Sequence, residues 1–357
     1  MMKTPTQRAE PTRLARKEVR MRFEQLKLEY PKMRARDLAL KIGTSEAELL
    51  GSRTNKDIIR LEGDWAEIIR SMPSLGPVMV LTRNEECVHE KHGEFNNISI
   101  GPGHGIVLNR DIDLRLFMSH WHFGFAVAEE VASGKRHSLQ FFDIDGQAVL
   151  KVYLPKDSRL ESYFTLVERF SAQDQETPIN THNLPIVRNN AADEDVDVPN
   201  FLTHWENLKD THHFFGLLHE FGVGRHQSMR LAEGKFTRRL ENDCLEELLQ
   251  NAVKDQTSIM CFVGNPGCIQ IHTGTIHRTA IVGHWLNILD KNFNLHLNQN
   301  AVESIWEVRK PTSDGIVTSV EIFNEAGYCF CQFFGERKPG KIELPGWRDI
   351  VEKLPSL

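Results

Sequence analysis

This sequence predicts an α+β fold built twice in tandem, each copy a large antiparallel β-sheet with helices packed against it. Three observations carry that expectation. The chain aligns with itself at a fixed offset. Each half opens with helical spacing and then turns to short strands, and a polar stretch separates the halves. At an offset of 181 residues, without a gap, Asn84 falls on Asn265, Cys87 on Cys268, Gly93 on Gly274 and Ile100 on Ile281. The register continues through Leu108 and Leu289, Val127 and Val308, and Gly134 and Gly315 to Phe142 and Phe323. The identities are sparse, but they fall on turn formers and on apolar positions in register, where a shared backbone needs them. Upstream the offset becomes 182, with Phe23, Leu26 and Ala47 on Trp205, Leu208 and Met229.

In chain order, residues 1–22 hold Lys3, Arg8, Arg13, Arg16, Lys17 and Arg20 with no apolar core, and read as a basic flexible tail. Residues 23–170 form the N-terminal repeat, 171–200 a polar linker with Asp193-Glu194-Asp195 and prolines, and 201–357 the C-terminal repeat. In the second repeat, Asn200 to Gly222 and Leu240 to Val253 have helical apolar spacing. Strand runs follow at Ser258–Val263, Cys268–Ile276, Trp285–Leu289, Phe293–Leu297, Ile305–Arg309, Ile316–Phe323 and Tyr328–Phe334. Turn chemistry separates them, as in Gly264-Asn265-Pro266-Gly267 and Asn324-Glu325-Ala326-Gly327, which implies an antiparallel meander.

Composition narrows the class. The 357 residues carry 43 basic and 49 acidic side chains, a formal charge of −6 that gives no general affinity for DNA or anionic membranes. No window has the apolar length of a membrane span. The six cysteines are scattered, without a C-x-x-C pair, and read as reduced cytosolic thiols.

Sixteen histidines are present, four of them between His212 and His226. The seam Phe201, Trp205, Leu208, Phe215 places His212 where a leucine would stand on a buried helix face. An imidazole there needs partners for its ring nitrogens, so two readings stand, a satisfied core histidine or a metal ligand. Tyr30 occupies the matching position of the first half, so the repeated fold does not itself require histidine. Trp205, His213, Phe214, Phe215 and Arg225 nearby suit a large flat apolar ligand bearing a metal. A site made by protein ligands alone is disfavoured, because His212 and His213 project about 100° apart on a helix. One axial histidine suffices where a porphyrin supplies the other four nitrogens. Such a ligand also needs cations for its carboxylates and an apolar slot. Arg115, Arg309, Lys310 and Arg337 lie in or beside predicted strands, with Phe117, Phe262, Phe333 and Phe334 near in sequence. Taken singly, each cation reads as a solvated surface charge. Arg115 stands out because it interrupts the apolar alternation Asp113-Leu114-Arg115-Leu116-Phe117. The Gly101–Gly105 loop precedes a strand rather than a helix, which argues against a phosphate site.

Ordered motifs then identify a family. The segments Leu81-Thr-Arg-Asn-Glu-Glu-Cys-Val-His89-Glu, Asp113-Leu-Arg115-Leu-Phe117 and Ser138-Leu-Gln-Phe-Phe142 resemble the bacterial cytoplasmic haem-handling proteins of the HemS/ChuS type. So do Asp210-Thr-His212-His-Phe-Phe, Phe262-Val-Gly-Asn and Arg309-Lys-Pro-Thr-Ser-Asp-Gly315, and the match runs in order from Phe23 to Trp347. The resemblance implies haem in a cleft between two homologous halves, with His212 as the axial iron ligand and Arg115 as the distal, catalytic arginine. It also implies Phe117, Arg225, Phe262, Lys310 and Arg337 around the haem. Phe334 stands where the family has a tyrosine, which removes a hydroxyl donor. His89 matches a family histidine with Gln270 as its counterpart, which implies a second, weaker haem site, and His89 and His213 stay open as alternative ligands, His213 being the first to examine if His212 does not ligate.

The function implied is bacterial haem uptake in the cytoplasm, with haem degraded by O₂ and an external electron donor, because no flavin or dinucleotide fingerprint is present. The alternative is a non-catalytic haem chaperone or storage protein that delivers haem to a separate haem oxygenase. An inner-membrane haem importer is a further candidate partner. A haem-responsive regulator binding nucleic acid is disfavoured by the charge of −6.

Overall fold

In the computed structural model of the chain, residues 15–132, 134–182, 190–338 and 340–357 are described. The first repeat opens with α1 (Arg16–Glu29), α2 (Ala35–Ile42) and α3 (Glu46–Gly51), then β1 (Ile58–Leu61) and α4 (Trp65–Ser71). It continues through β2 (Val78–Arg83), β3 (Cys87–Gly93), β4 (Ile98–Ile100), β5 (Gly105–Leu108) and β6 (Asp113–Leu116). The long strands β7 (Phe123–Val131), β8 (Gly134–Phe142) and β9 (Ala148–Leu154) and the helix α5 (Leu160–Phe170) complete it.

The second repeat follows the same order, with α6 (Val198–Glu206), α7 (His213–Glu220), α8 (Arg225–Leu231), β10 (Thr237–Leu240) and α9 (Cys244–Lys254). Then come β11 (Ile259–Asn265), β12 (Cys268–Gly274), β13 (Thr279–Val282), β14 (Trp285–Leu289) and β15 (Phe293–Asn298). It ends with β16 (Ser304–Thr312), β17 (Gly315–Phe323), β18 (Cys329–Gly335) and α10 (Pro345–Glu352). The self-alignment holds strand by strand: β2, β3, β7, β8 and β9 begin 181 residues before β11, β12, β16, β17 and β18.

The two expected large antiparallel sheets are present, and each draws strands from both repeats. Two nine-stranded antiparallel sheets form, ordered β1-β7-β8-β9-β2-β3-β15-β14-β13 and β10-β16-β17-β18-β11-β12-β6-β5-β4. Each repeat therefore lends a three-stranded arm to the other's sheet. The two junctions are equivalent, with Leu116 of β6 opposite Cys268 of β12, and Leu297 of β15 opposite Cys87 of β3. Side chains do not follow the hydrogen bonds across. Val107, Leu114 and Leu116 of the first arm join a core with Ile68, Ile69, Phe141 and Val152 of their own repeat. Leu286, Leu295 and Leu297 of the second arm likewise pack with Leu245, Leu248, Leu249 and Phe333. Hydrogen bonds cross between the repeats while each apolar core stays almost wholly within one. That arrangement ties the halves without requiring a shared core.

Two turn residues reinforce the tie. The Asn84 Oδ1 accepts from the N–H groups of Glu86 and Cys87, shaping the β2–β3 turn, while its Nδ2 donates to Gly264 O and Phe330 O in the other repeat. Asn265 repeats the arrangement, accepting from Gly267 and Cys268 and donating to Arg83 O and Val149 O.

Three boundaries differ from expectation. Helix α1 already begins at Arg16, so the stretch 1–22 is not tail throughout, and residues 1–14 lie outside the described residues. The stretch 171–200 is not a free linker. Ser171 bridges to Leu61, and the Gln175 side chain both accepts from Arg60 N and donates to Arg60 O, while residues 183–189 lie outside the described residues. The single helix expected from Asn200 to Gly222 is two helices, α6 and α7, parted by a turn. No helix among the described residues is long and apolar enough to cross a membrane.

Candidate functional site

Strand alternation places the expected residues. Residues paired across neighbouring strands share a face. Arg115 pairs with Ile106 and Ile269, Phe262 with Gln332 and Ile271, and Gln332 with Glu321. Phe334 pairs with Met260 and Ser319, and Lys310 with Val317. One face of the second sheet therefore carries Arg115 from the first repeat's arm together with Phe262, Phe334, Glu321 and Lys310 from the second repeat. Met260, Phe262, Ile269 and Phe334 form a half-buried apolar strip on it, and the rings of Phe262 and Phe334 touch with centroids 5.0 Å apart. Helices α6 to α8 cover the β16 and β17 end of the same face, burying Trp306 and Val308 under Phe201, Trp205 and Phe214.

His212 is not in the core. Its side chain is 90% exposed, and the apolar seam that predicted burial is broken between α6 and α7. The physical reason is Asp210, whose Oδ1 accepts from the backbone N–H of His212 at 2.8 Å and so forms a turn in place of helix. The same Oδ1 lies 2.6 Å from the ring Nδ1. With the ring proton on Nδ1, the imidazole is oriented by the carboxylate and Nε2 keeps a lone pair facing outward. These two bonds hold the Asp210 carboxyl below the usual carboxylate range, the backbone bond contributing most. Helix α7, which His212 caps, is seated on the sheet face through Phe214, whose ring lies 4.6 Å from Lys310 Nζ and 6.0 Å from the Arg225 guanidinium carbon. Phe215, on the outer side, is 79% exposed, and His213 also faces outward.

The cations are already engaged. Lys310 Nζ lies 2.6 Å from Glu321 Oε1, and the Arg225 Nε 2.8 Å from Glu321 Oε2, with Glu321 fully buried. Burial alone would raise the Glu321 carboxyl, but Arg225 and Lys310 together hold it far below its ordinary value. Burial lowers the Lys310 ammonium, with Glu321 pulling the other way. Arg115 forms an ion pair with Asp113 in its own strand and remains about a third exposed. Phe117 lies one residue past β6, its N–H donating to Gly267 O in the β11–β12 turn. Arg337 sits beyond β18, 3.9 Å from Asp314, and the neighbouring Ser313 N–H donates to Lys209 O in the turn before His212.

The second-site expectation at His89 is not supported by its position. His89 is fully buried, its ring 4.9 Å from that of Phe293. Burial lowers its imidazole well below the ordinary value. The sequence pattern gives no role to Asp210, nor to Glu321 and Gln332. An aspartate two residues before a histidine was the available signal for the first. For Glu321 the signal was a charge inside the strand run Ile316–Phe323.

Comparison with known proteins agrees with this architecture. A family model described as the haemin-degrading HemS.ChuX domain matches twice, at residues 43–170 and 222–354. The chain is 37% identical to the hemin transport protein HmuS of Yersinia pestis over 337 residues, covering 93% of this chain and 96% of the relative. It is 36% identical to the hemin transport protein HemS of Yersinia enterocolitica over 341 residues, covering 95% and 97%. Among solved structures, holo-PhuS, a heme-binding protein from Pseudomonas aeruginosa, superposes with a TM-score of 0.94 at 41% identity, covering 96% of this chain and 100% of that one. A structure described as ChuS, an E. coli heme oxygenase, gives a TM-score of 0.85 at 36% identity, covering 94% and 99%. Two family-model matches, one per repeat, and full-length relatives on both counts place this chain in the haemin-degrading HemS/ChuX family.

Proposed function

We propose that this protein binds haem as its substrate, with the iron on His212 Nε2, and opens the ring when supplied with O₂ and an external electron donor. The observation that carries the reading is the state of His212. Its Nδ1 is fixed by Asp210 and its Nε2 is open, on a helix seated over a sheet face that carries an apolar strip and Arg115, with Arg225 of α8 set against Glu321 of the same face. The residues present fit an anionic porphyrin: Phe262 and Phe334 offer flat apolar contact, Arg225 offers a carboxylate contact, and Arg115 offers hydrogen-bond donors. The iron and the macrocycle supply the redox chemistry, and the protein supplies binding and orientation. Phe334 brings no hydroxyl, so side-chain donors toward a ligand on this face come from groups such as Arg115 and Arg225. The relatives' names, two hemin transport proteins and a heme oxygenase, support haem as the ligand and leave both fates represented.

A second reading is delivery of intact haem to a separate oxygenase, and the 90% exposure of the His212 side chain favours it, since an open ligand suits exchange. Hemin titrated into the protein is expected to give a shifted, intensified Soret band that weakens or moves in His212→Ala. An unchanged spectrum and affinity in that variant would reject the ligand assignment and turn attention to His213. With reductant, O₂ and catalase, loss of the Soret band with a ring-opened tetrapyrrole product supports degradation. Turnover no faster than free hemin, with rapid transfer to an apo-haem acceptor, supports delivery.

A further inference from the structure

Each repeat buries a carboxylate between two cations, Glu46 in the first and Glu321 in the second, but with opposite polarity. In the first, Glu46 comes from the helix α3 and is held by Arg83 at 2.7 Å and by Lys151, both on the sheet. All three side chains are under a tenth exposed. In the second, the carboxylate is on the sheet, at Glu321, and an arginine comes from the helix, at Arg225. The two triads do not use matching positions. At the 181-residue offset Glu321 falls on Gln140, and Lys151 on Gln332.

The reversal has a chemical consequence. In the first repeat both cations point into the protein and neither is left for a ligand. In the second, Lys310 is buried against Glu321, but the Arg225 side chain stays 35% exposed. Two of its three nitrogens are fixed, Nε on Glu321 and Nη2 on Gln332 at 2.9 Å, and Nη1 takes part in neither bond. Ser319 Oγ also donates to Glu321 Oε1 at 3.1 Å, so the carboxylate itself is held in place. A guanidinium fixed at two corners gives up little rotamer freedom when the third meets an anion.

We propose that Glu321 is a positioning residue that fixes Arg225 to receive a carboxylate of the bound porphyrin, so that this triad, unlike the one around Glu46, offers a preset anion contact. This rests on the haem reading above. Glu321 touches no ligand and acts through Arg225, with Gln332 as the second support.

The test separates the porphyrin's carboxylates from its ring. Wild type is titrated with hemin and with the iron porphyrin whose two propionates are methyl esters, following the Soret band. Wild type is expected to prefer the diacid by about tenfold or more, the scale of one charge-assisted hydrogen bond. Glu321→Gln is expected to remove most of that preference while leaving the Soret position unchanged, since His212 still ligates. If Glu321→Gln does not fold, Gln332→Leu frees Nη2 and reads the same quantity, with a smaller loss expected. Equal weakening toward both porphyrins would show a merely structural role and overturn the assignment, as would a preference retained in both variants. A wild-type protein that binds both porphyrins alike would sink this proposal and leave the haem reading standing. A wild type that forms no Soret complex with either would sink the haem reading, and this proposal with it.

Discussion

At the scale of the residue, His212 depends on Asp210. A histidine that ligates iron does so better when its second nitrogen donates to a carboxylate, which fixes the ring and raises its basicity. Asp210→Ala removes that acceptor together with the turn it shapes. Haem affinity is expected to fall about 10- to 100-fold with ligation retained, which a competition titration against an apo-haem acceptor would measure. Affinity within a factor of two of wild type would show that the ring needs no such support. The histidine's identity was legible in the sequence, but its environment was not. A seam of Phe201, Trp205, Leu208 and Phe215 counts apolar residues and is blind to Asn207 and Asp210, whose side chains stabilise turns. Those two residues end α6 and delay α7, and the exposure of His212 follows.

At the scale of the element, Asn84 and Asn265 do double duty. Each caps its own turn through Oδ1 and crosses to the other repeat through Nδ2. The sequence marked them as matching turn formers, yet the bonds between repeats had no sequence signal. Replacing Asn265 with alanine removes two turn bonds and two bonds across the repeats, for an expected loss of about 2–3 kcal/mol by denaturant unfolding. Asn84→Ala should cost a similar amount. A loss under about 0.5 kcal/mol for either would mean that water replaces these bonds. Short strands were also hard to see. The four-residue strands β10 and β13 have too few residues to show alternation, whereas β17 and β18 match the expected runs within one residue and β16 runs three residues beyond its expected end. Which edge an arm joins is a tertiary choice that alternation cannot encode, so the exchange of β4–β6 for β13–β15 was invisible.

At the scale of the whole molecule, the repeats meet at matching positions. Lys91 and His272 are equivalent at the 181-residue offset, and Lys91 Nζ lies 3.2 Å from His272 Nδ1 across the junction. Phe293 stacks on the His272 ring, 3.8 Å between centroids, and His89 lies on the same aromatic ring. Burial, then Lys91, pushes the His272 imidazole down to about 3. A depressed histidine stays neutral in the folded protein while the unfolded chain takes up a proton below about pH 6.5. Stability is therefore full above that pH and declines as pH falls toward 3, because the unfolded state binds more protons over that window. Between pH 7 and pH 5 this one residue is expected to remove about 2 kcal/mol, with His89 acting in the same direction. His272→Gln should recover most of that share, read as denaturant midpoints at the two pH values. An unaltered slope would place the imidazole in contact with water.

The exchanged arms also dictate an order of manufacture. A chain leaving the ribosome exposes β3 with no neighbour on its far side until residues 279–298 have been synthesised, nearly two hundred residues later. During that interval β6 likewise waits for β12, so the first half is held with unsatisfied strand edges that invite pairing with other chains. Truncation between the repeats would leave those edges without a partner in the same chain. A half-length fragment has the same edge and the same arm as its missing partner, so two such fragments can close each other's sheets, and translation past Asn298 is what lets one chain complete itself.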